Sequence, residues 1–63
     1  MKKVYEDNIT IAFEESGKRV VITRNEYNNS RTFHYSVFIK NGNEKGKTVA
    51  TRCTLEKALT FTK

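Results

Sequence analysis

From Thr32 to Lys40 the chain alternates strictly between two kinds of residue. Phe33, Tyr35, Val37 and Ile39 fall on one side, and Thr32, His34, Ser36, Phe38 and Lys40 on the other. A period of two is that of a β-strand, whose successive side chains point to opposite faces. With aromatic and β-branched residues throughout, this run predicts a strand at the centre of a sheet. Its neighbours must then supply antiparallel partners through short turns.

The rest of the chain offers them. Ile9, Ile11 and Phe13 alternate with Thr10, Ala12 and Glu14, which predicts a half-buried strand. Glu15-Ser16-Gly17-Lys18 follows as a tight turn, with Gly17 able to take positive φ. The run from Arg19 to Arg24 is apolar at Val20, Val21 and Ile22, and we assign Val20 and Ile22 to its inward face. Asn25 to Ser30 is polar and Asn-rich, as a loop should be. After the central strand, the segment from Asn41 to Lys47 reads as a flexible loop, and Thr48 to Cys53 as a fourth, weaker strand.

A helix closes the chain. Thr54 suits the N-cap, Glu56 complements the dipole of the first turn, and Leu55, Ala58 and Leu59 share one face. So short a helix is marginal alone and needs a sheet beneath it. The predicted fold is α+β: a four-stranded antiparallel β-meander followed by one short C-terminal helix packed on one face, β-β-β-β-α, in a single small domain over residues 1–63. One short helix shields one side of such a sheet. The other side would carry Thr10, Ala12, Arg19, Val21, Thr23, Thr32, His34, Ser36 and Phe38 and, if the last strand keeps register, Ala50 and Arg52. A face with that composition is normally used for self-association or for a ligand.

Size sharpens this expectation. The chain has 63 residues, 37% of them hydrophobic, so its core is small. Cys53 is the only cysteine and His34 the only histidine, so neither an internal disulfide nor a Cys/His metal centre can staple the fold. A homodimer or a bound partner is one route to extra stability. Met1-Lys2-Lys3 leads into Val4-Tyr5-Glu6-Asp7 and not into an apolar signal core, and no segment is apolar enough to span a membrane. The expected location is the cytoplasm, where a lone thiol is ordinary.

The formal net charge of +5 is unevenly placed along the sequence. Residues 1–30 hold five bases and five acids. Residues 31–63 hold seven bases (Arg31, Lys40, Lys45, Lys47, Arg52, Lys57 and Lys63) against Glu44 and Glu56. That asymmetry would attract a polyanion or an acidic protein, although solubility alone can also account for such a charge.

Catalytic chemistry is not foreseen. Glu14 and Glu15 are neighbours on a strand and point to opposite faces, so they cannot act as an acid/base pair. Nothing in the spacing brings Cys53 to His34 as nucleophile and base, and Cys53 fits better as a small filler beside the helix. Gly46-Lys47-Thr48 lacks the upstream glycine of a phosphate-binding loop and leads into a strand rather than a helix. No cofactor and no metal are expected.

Binding is the better prospect. Lys40, Lys45 and Lys47 flank a glycine-containing loop, with Arg31 and Arg52 on neighbouring strands, and such bases can follow a phosphate backbone. Phe38 and His34 on the uncovered face can stack on bases or form an interface. The layout is similar to that of the arm-binding domains of phage and transposon integrases, with a Thr-capped helix comparable to Thr54-Leu55-Glu56-Lys57-Ala58-Leu59. It also resembles small basic archaeal chromatin proteins, whose sheet tryptophan this chain lacks, and certain dimeric single-strand binders. In each the sheet meets nucleic acid, and the likeness covers element order and that one capped helix. It implies a non-enzymatic nucleic-acid-binding accessory module of the kind phages and mobile elements carry, with DNA or RNA as partner. The alternative is a small inhibitor or adaptor docking on a host protein such as a nuclease or polymerase.

Overall fold

The computed structural model describes residues 1–26 and 33–62. Five strands form one antiparallel sheet in simple sequence order: β1 (Lys2–Glu6), β2 (Thr10–Glu15), β3 (Lys18–Glu26), β4 (Phe33–Asn41) and β5 (Lys47–Cys53). A helix, α1 (Leu55–Leu59), and a 3-10 turn over Thr60–Thr62 complete the chain. The α+β class, the antiparallel meander and the short C-terminal helix are as expected. The strand count is not, because residues 2–6 form a fifth strand on the outer edge of β2. All five of its residues are exposed, so it shows no buried face and hence no alternation by which to recognise it.

The β2–β3 hairpin is made by Ser16 and Gly17, with φ of +50° and +84°. Positive φ at both central residues matches the right-handed twist of the flanking strands, which explains so tight a connection. Between β1 and β2 the chain turns on Asp7, whose carboxylate accepts hydrogen bonds from the backbone N–H of Ile9 (2.8 Å) and Thr10 (2.7 Å). This Asx-type turn takes Ile9 out of the strand and leaves it 54% exposed, against the expectation that β2 begins at residue 9. At the other boundary β3 runs further than foreseen. Asn25 and Glu26 pair with His34 and Phe33, and the Asn25 amide donates to Ser36 Oγ at 2.7 Å.

Asp7 also accepts a hydrogen bond from the Tyr5 hydroxyl at 2.5 Å. That bond, and then the two backbone N–H groups, hold the Asp7 carboxyl below its ordinary value of 3.8. Stability from a depressed carboxylate is complete above that ordinary value and is lost as pH falls through the lower, folded one. Acid unfolding should therefore show a fall in stability beginning below about pH 4 that is shallower in Asp7→Ala. Urea midpoints measured between neutral pH and about pH 2.5 check this, and identical pH profiles for the two proteins would contradict it.

Burial follows the alternation on β3 and β4, whereas on β2 the buried residue is Ala12, on the side away from the helix. Val20, Ile22 and Val37 are almost fully buried with Ala58 of α1, and Phe13, Tyr35, Ile39, Leu55, Leu59 and Phe61 pack around them. Val20 pairs with Phe13 and Ile39, and Ile22 with Ile11 and Val37, so these side chains stand on the helix side of the sheet. The assignment of Val20 and Ile22 inward is met. Thr54 caps α1 as expected, its Oγ1 accepting from the Lys57 N–H at 3.1 Å.

β5 departs from its expected register. Tyr35 pairs with Cys53, Val37 with Ala50 and Phe38 with Thr48, so β5 carries an extra residue in each of two steps. Such bulges bend and twist an edge strand. One places Arg52 at φ +52°, and together they turn Ala50, with its neighbour Val49, onto the helix-side core. Ala50 is thus absent from the uncovered face, where an unbroken alternation would have put it.

Candidate nucleic-acid interface

The β2–β3 turn and the β4–β5 loop meet at one end of the sheet. Lys18 pairs with Asn41, and the Gly42 N–H donates to the Gly17 carbonyl at 2.7 Å. Gly42 holds φ +54° to make this approach. The tie brings Lys18 from the electrically neutral half of the sequence next to Lys45 and Lys47 from the basic half. These three lysines line a cavity of about 390 Å³ together with Asn41, Glu44, Ile39 and Val49.

On the side of the sheet away from the helix, Lys2, Glu14, Arg19 and Lys40 form one cross-strand row at this same end. Arg19 pairs with Glu14 at 2.9 Å. It also stands opposite Lys40, and like charges directly opposite on adjacent strands repel. Counting Lys2, Lys18, Arg19, Lys40, Lys45 and Lys47 against Glu14, Glu15 and Glu44, the turn end of the sheet carries a formal charge of +3. Glu6 and Asp7 lie toward the opposite end, where β1 turns into β2.

The residues singled out from the sequence are therefore divided. Lys45 and Lys47 share a cavity. Lys40 lies at the same end of the sheet but on the other side. Arg52 stands at a β5 bulge beside Cys53, whose ladder partner is Tyr35, four residues back along β4 from Ile39, the partner of Lys47. At about 3.4 Å per residue this puts Arg52 well over 10 Å from the lysine cavity. Arg31, like Tyr27 and Thr32, lies outside the described residues. His34 and Phe38 share the side away from the helix, with Ser36 between them. Cys53 packs on the helix-side core and its Sγ donates to the Tyr35 carbonyl at 3.2 Å, so it and His34 occupy opposite sides of the sheet.

Phe38 has a role inside the chain as well. Its Cζ and Cε1 fill the space that a Cβ on Gly46 would need, and the Ile39 carbonyl oxygen lies 2.9 Å from the same point. Gly46 is thus fixed by close approach rather than left as part of a loose tip, and the ring roofs the start of β5. The ring is nonetheless 37% exposed.

Three positions are not singled out by the sequence, Lys2, Lys18 and Tyr5, and Arg19 is expected on the uncovered face but not among the binding bases. Lys2, Lys18 and Arg19 sit in the neutral half and gain meaning from where the turns place them. Tyr5 lies on the unrecognised strand, although Val4-Tyr5 before an Asp7-Asn8 turn is a usable hairpin signal.

Among the described residues no group of three or more His, Cys, Asp or Glu side chains could hold a metal ion, and no helix is long and apolar enough to cross a membrane. Comparison with protein-family models, with curated proteins and with solved structures finds nothing that matches this chain.

Proposed function

We propose that the protein is a non-enzymatic nucleic-acid-binding module that holds a phosphate backbone at the turn end of its sheet. The observation that supports this most is the gathering of Lys18, Lys45 and Lys47 around one cavity, with Lys40, Arg19 and Lys2 at the same end on the opposite side of the sheet. The described ion pairs, Lys3 with Glu6 and Arg19 with Glu14, do not involve the three cavity lysines. With one carboxylate, Glu44, among three ammonium groups in the cavity lining, positive charge is in excess there, and a polyanion would neutralise it while releasing its own counterions.

Salt dependence is the direct test. Binding to a duplex at low salt should weaken steeply as salt is added. Replacing Lys18, Lys45 and Lys47 together by Gln should flatten the log–log slope by roughly 0.9 for each phosphate no longer neutralised, about two to three in all. Arg52→Gln, away from the cavity, should change the slope by less than about one. Affinity indifferent to salt, or an unchanged slope in the triple variant, would reject the proposal.

A second reading, docking on a protein, has its own support. β1 is an exposed edge strand with Val4 45% and Tyr5 53% exposed, and a partner strand can add to such an edge. Beside it a cavity of about 180 Å³, lined by Ile9, Ile11, Ile22 and Tyr35 with Glu6 and Arg24 among its other residues, has room for a side chain of that partner. Absence of any nucleic-acid binding at low salt, together with a protein partner that co-purifies and is lost on Tyr5→Pro, would favour this reading.

A further inference from the structure

We infer that the sheet side away from the helix takes a single-stranded nucleic acid, with Tyr5 and Phe38 stacking on its bases and Lys2, Arg19 and Lys40 beside its phosphates. This rests on the proposed function and specifies the form of the ligand. The register is what supports it. Tyr5, Ala12, Val21 and Phe38 are successive ladder partners, so they form one straight row across β1 to β4. The bulge in β1 is what puts Tyr5 in that row, by shifting its pairing between Lys3 and Tyr5.

The row has aromatic residues at its ends and small or branched ones between. Ala12 is 5% exposed, while Tyr5 and Phe38 are 53% and 37% exposed, so the rings stand open around a low apolar floor. Three strand spacings separate them, about 14 Å, which a few nucleotides of an unpaired strand can bridge. Each ring is held by a neighbour: Tyr5 through its hydroxyl to Asp7, and Phe38 against Gly46. A ring already fixed loses little freedom on stacking.

Charge complements the row on one flank. Lys2, Glu14, Arg19 and Lys40 run parallel to it, two residues further along each inner strand, with a formal sum of +2. The other flank holds the uncharged Thr10, Thr23 and Ser36 on β2 to β4 and, at its β1 end, the Asp7 carboxylate that accepts from the Tyr5 hydroxyl. A strand lying along the row would therefore have its phosphates on the cationic flank. A duplex cannot offer its base faces to Tyr5 and Phe38, because they are stacked within it.

The experiment is an anisotropy titration at low salt with labelled oligothymidylate and oligouridylate of ~12 nucleotides, within the range such sheet binders cover, and with a duplex of matched length. Either single strand should bind more tightly than the duplex. Tyr5→Leu and Phe38→Leu should each weaken single-strand binding roughly 5- to 150-fold while leaving duplex affinity within about twofold. Tyr5→Phe, which keeps the ring and loses the Asp7 hydrogen bond, should stay close to the parent. Duplex affinity equal to that of both single strands, or Leu variants that bind the single strands as the parent does, would overturn the inference. If those results accompany a loss of binding in the Lys18/Lys45/Lys47 variant, the phosphate-binding reading stands and only the stacking fails. If nothing binds at low salt, both fail.

Discussion

Ile22→Ala should lower the melting temperature by more than about 10 °C and leave a protein near the edge of folding. Ile22 is 1% exposed and sits between Ile11 and Val37 in the ladder, over the core that Ala58 completes. Truncating a buried Ile costs about 2–5 kcal/mol, the lost transfer energy plus the cavity left behind. Native proteins hold roughly 0.05–0.15 kcal/mol per residue, about 3–9 kcal/mol for this chain. In a domain this small each kcal/mol moves the melting point by about 4–8 °C. The control is Val21→Ala, one residue along and on the opposite, half-buried side, which should cost under about 1.5 kcal/mol. Thermal unfolding followed by far-UV circular dichroism measures both. Equal losses would mean that the two sides of the sheet do not differ in burial as described.

Gly46→Ala should destabilise by about 1–3 kcal/mol, through overpacking rather than backbone preference. Its new Cβ would meet the Phe38 ring and lie 2.9 Å from the Ile39 carbonyl oxygen. The ring can swing aside, but the carbonyl belongs to β4 and cannot retreat without straining the sheet. Gly42→Ala offers the comparison. Nothing lies within 4 Å of its Cβ position, and its φ of +54° makes the substitution cost about 1–2 kcal/mol by steric strain alone. The two glycines are thus separable by a double-mutant cycle. Adding Phe38→Ala should recover part of the loss at Gly46 and none of the loss at Gly42, with denaturant midpoints as the measurement. Strict additivity at Gly46 would show that the ring does not roof it. The same cycle bears on Phe38 as a stacking group, since a ring held against a glycine presents only its free parts to a ligand.

Much of the fold is legible locally because its causes are local. Val20 and Ile22 inward, the Ser16-Gly17 turn and the Thr54 cap each follow from neighbours a few residues apart. The candidate interface is less legible. Lys45 and Lys47 stand out in the sequence as loop lysines, whereas Lys18 and Arg19 look like ordinary members of a balanced half. An antiparallel meander sets the β2–β3 turn and the β4–β5 loop at one end of the sheet, and the hydrogen bond from the Gly42 N–H to the Gly17 carbonyl brings the two into contact there. Arg52 illustrates the converse: it belongs to the basic half of the sequence, yet it stands toward the far end of β5 from the cavity lysines.

Residue patterning is enough to specify an antiparallel sheet, a helix at its C-terminal end and the inward face of its central strands. Period-two hydrophobicity, turn residues and a capping hydroxyl act over a few bonds and need no distant partner. The fifth strand, the register of β5 and the collection of charge at the turn end arise only in the folded chain. Edge strands lack a buried face to pattern them, and their pairing is settled by the ladder they join. Charges far apart along the chain become neighbours only when the hairpins close.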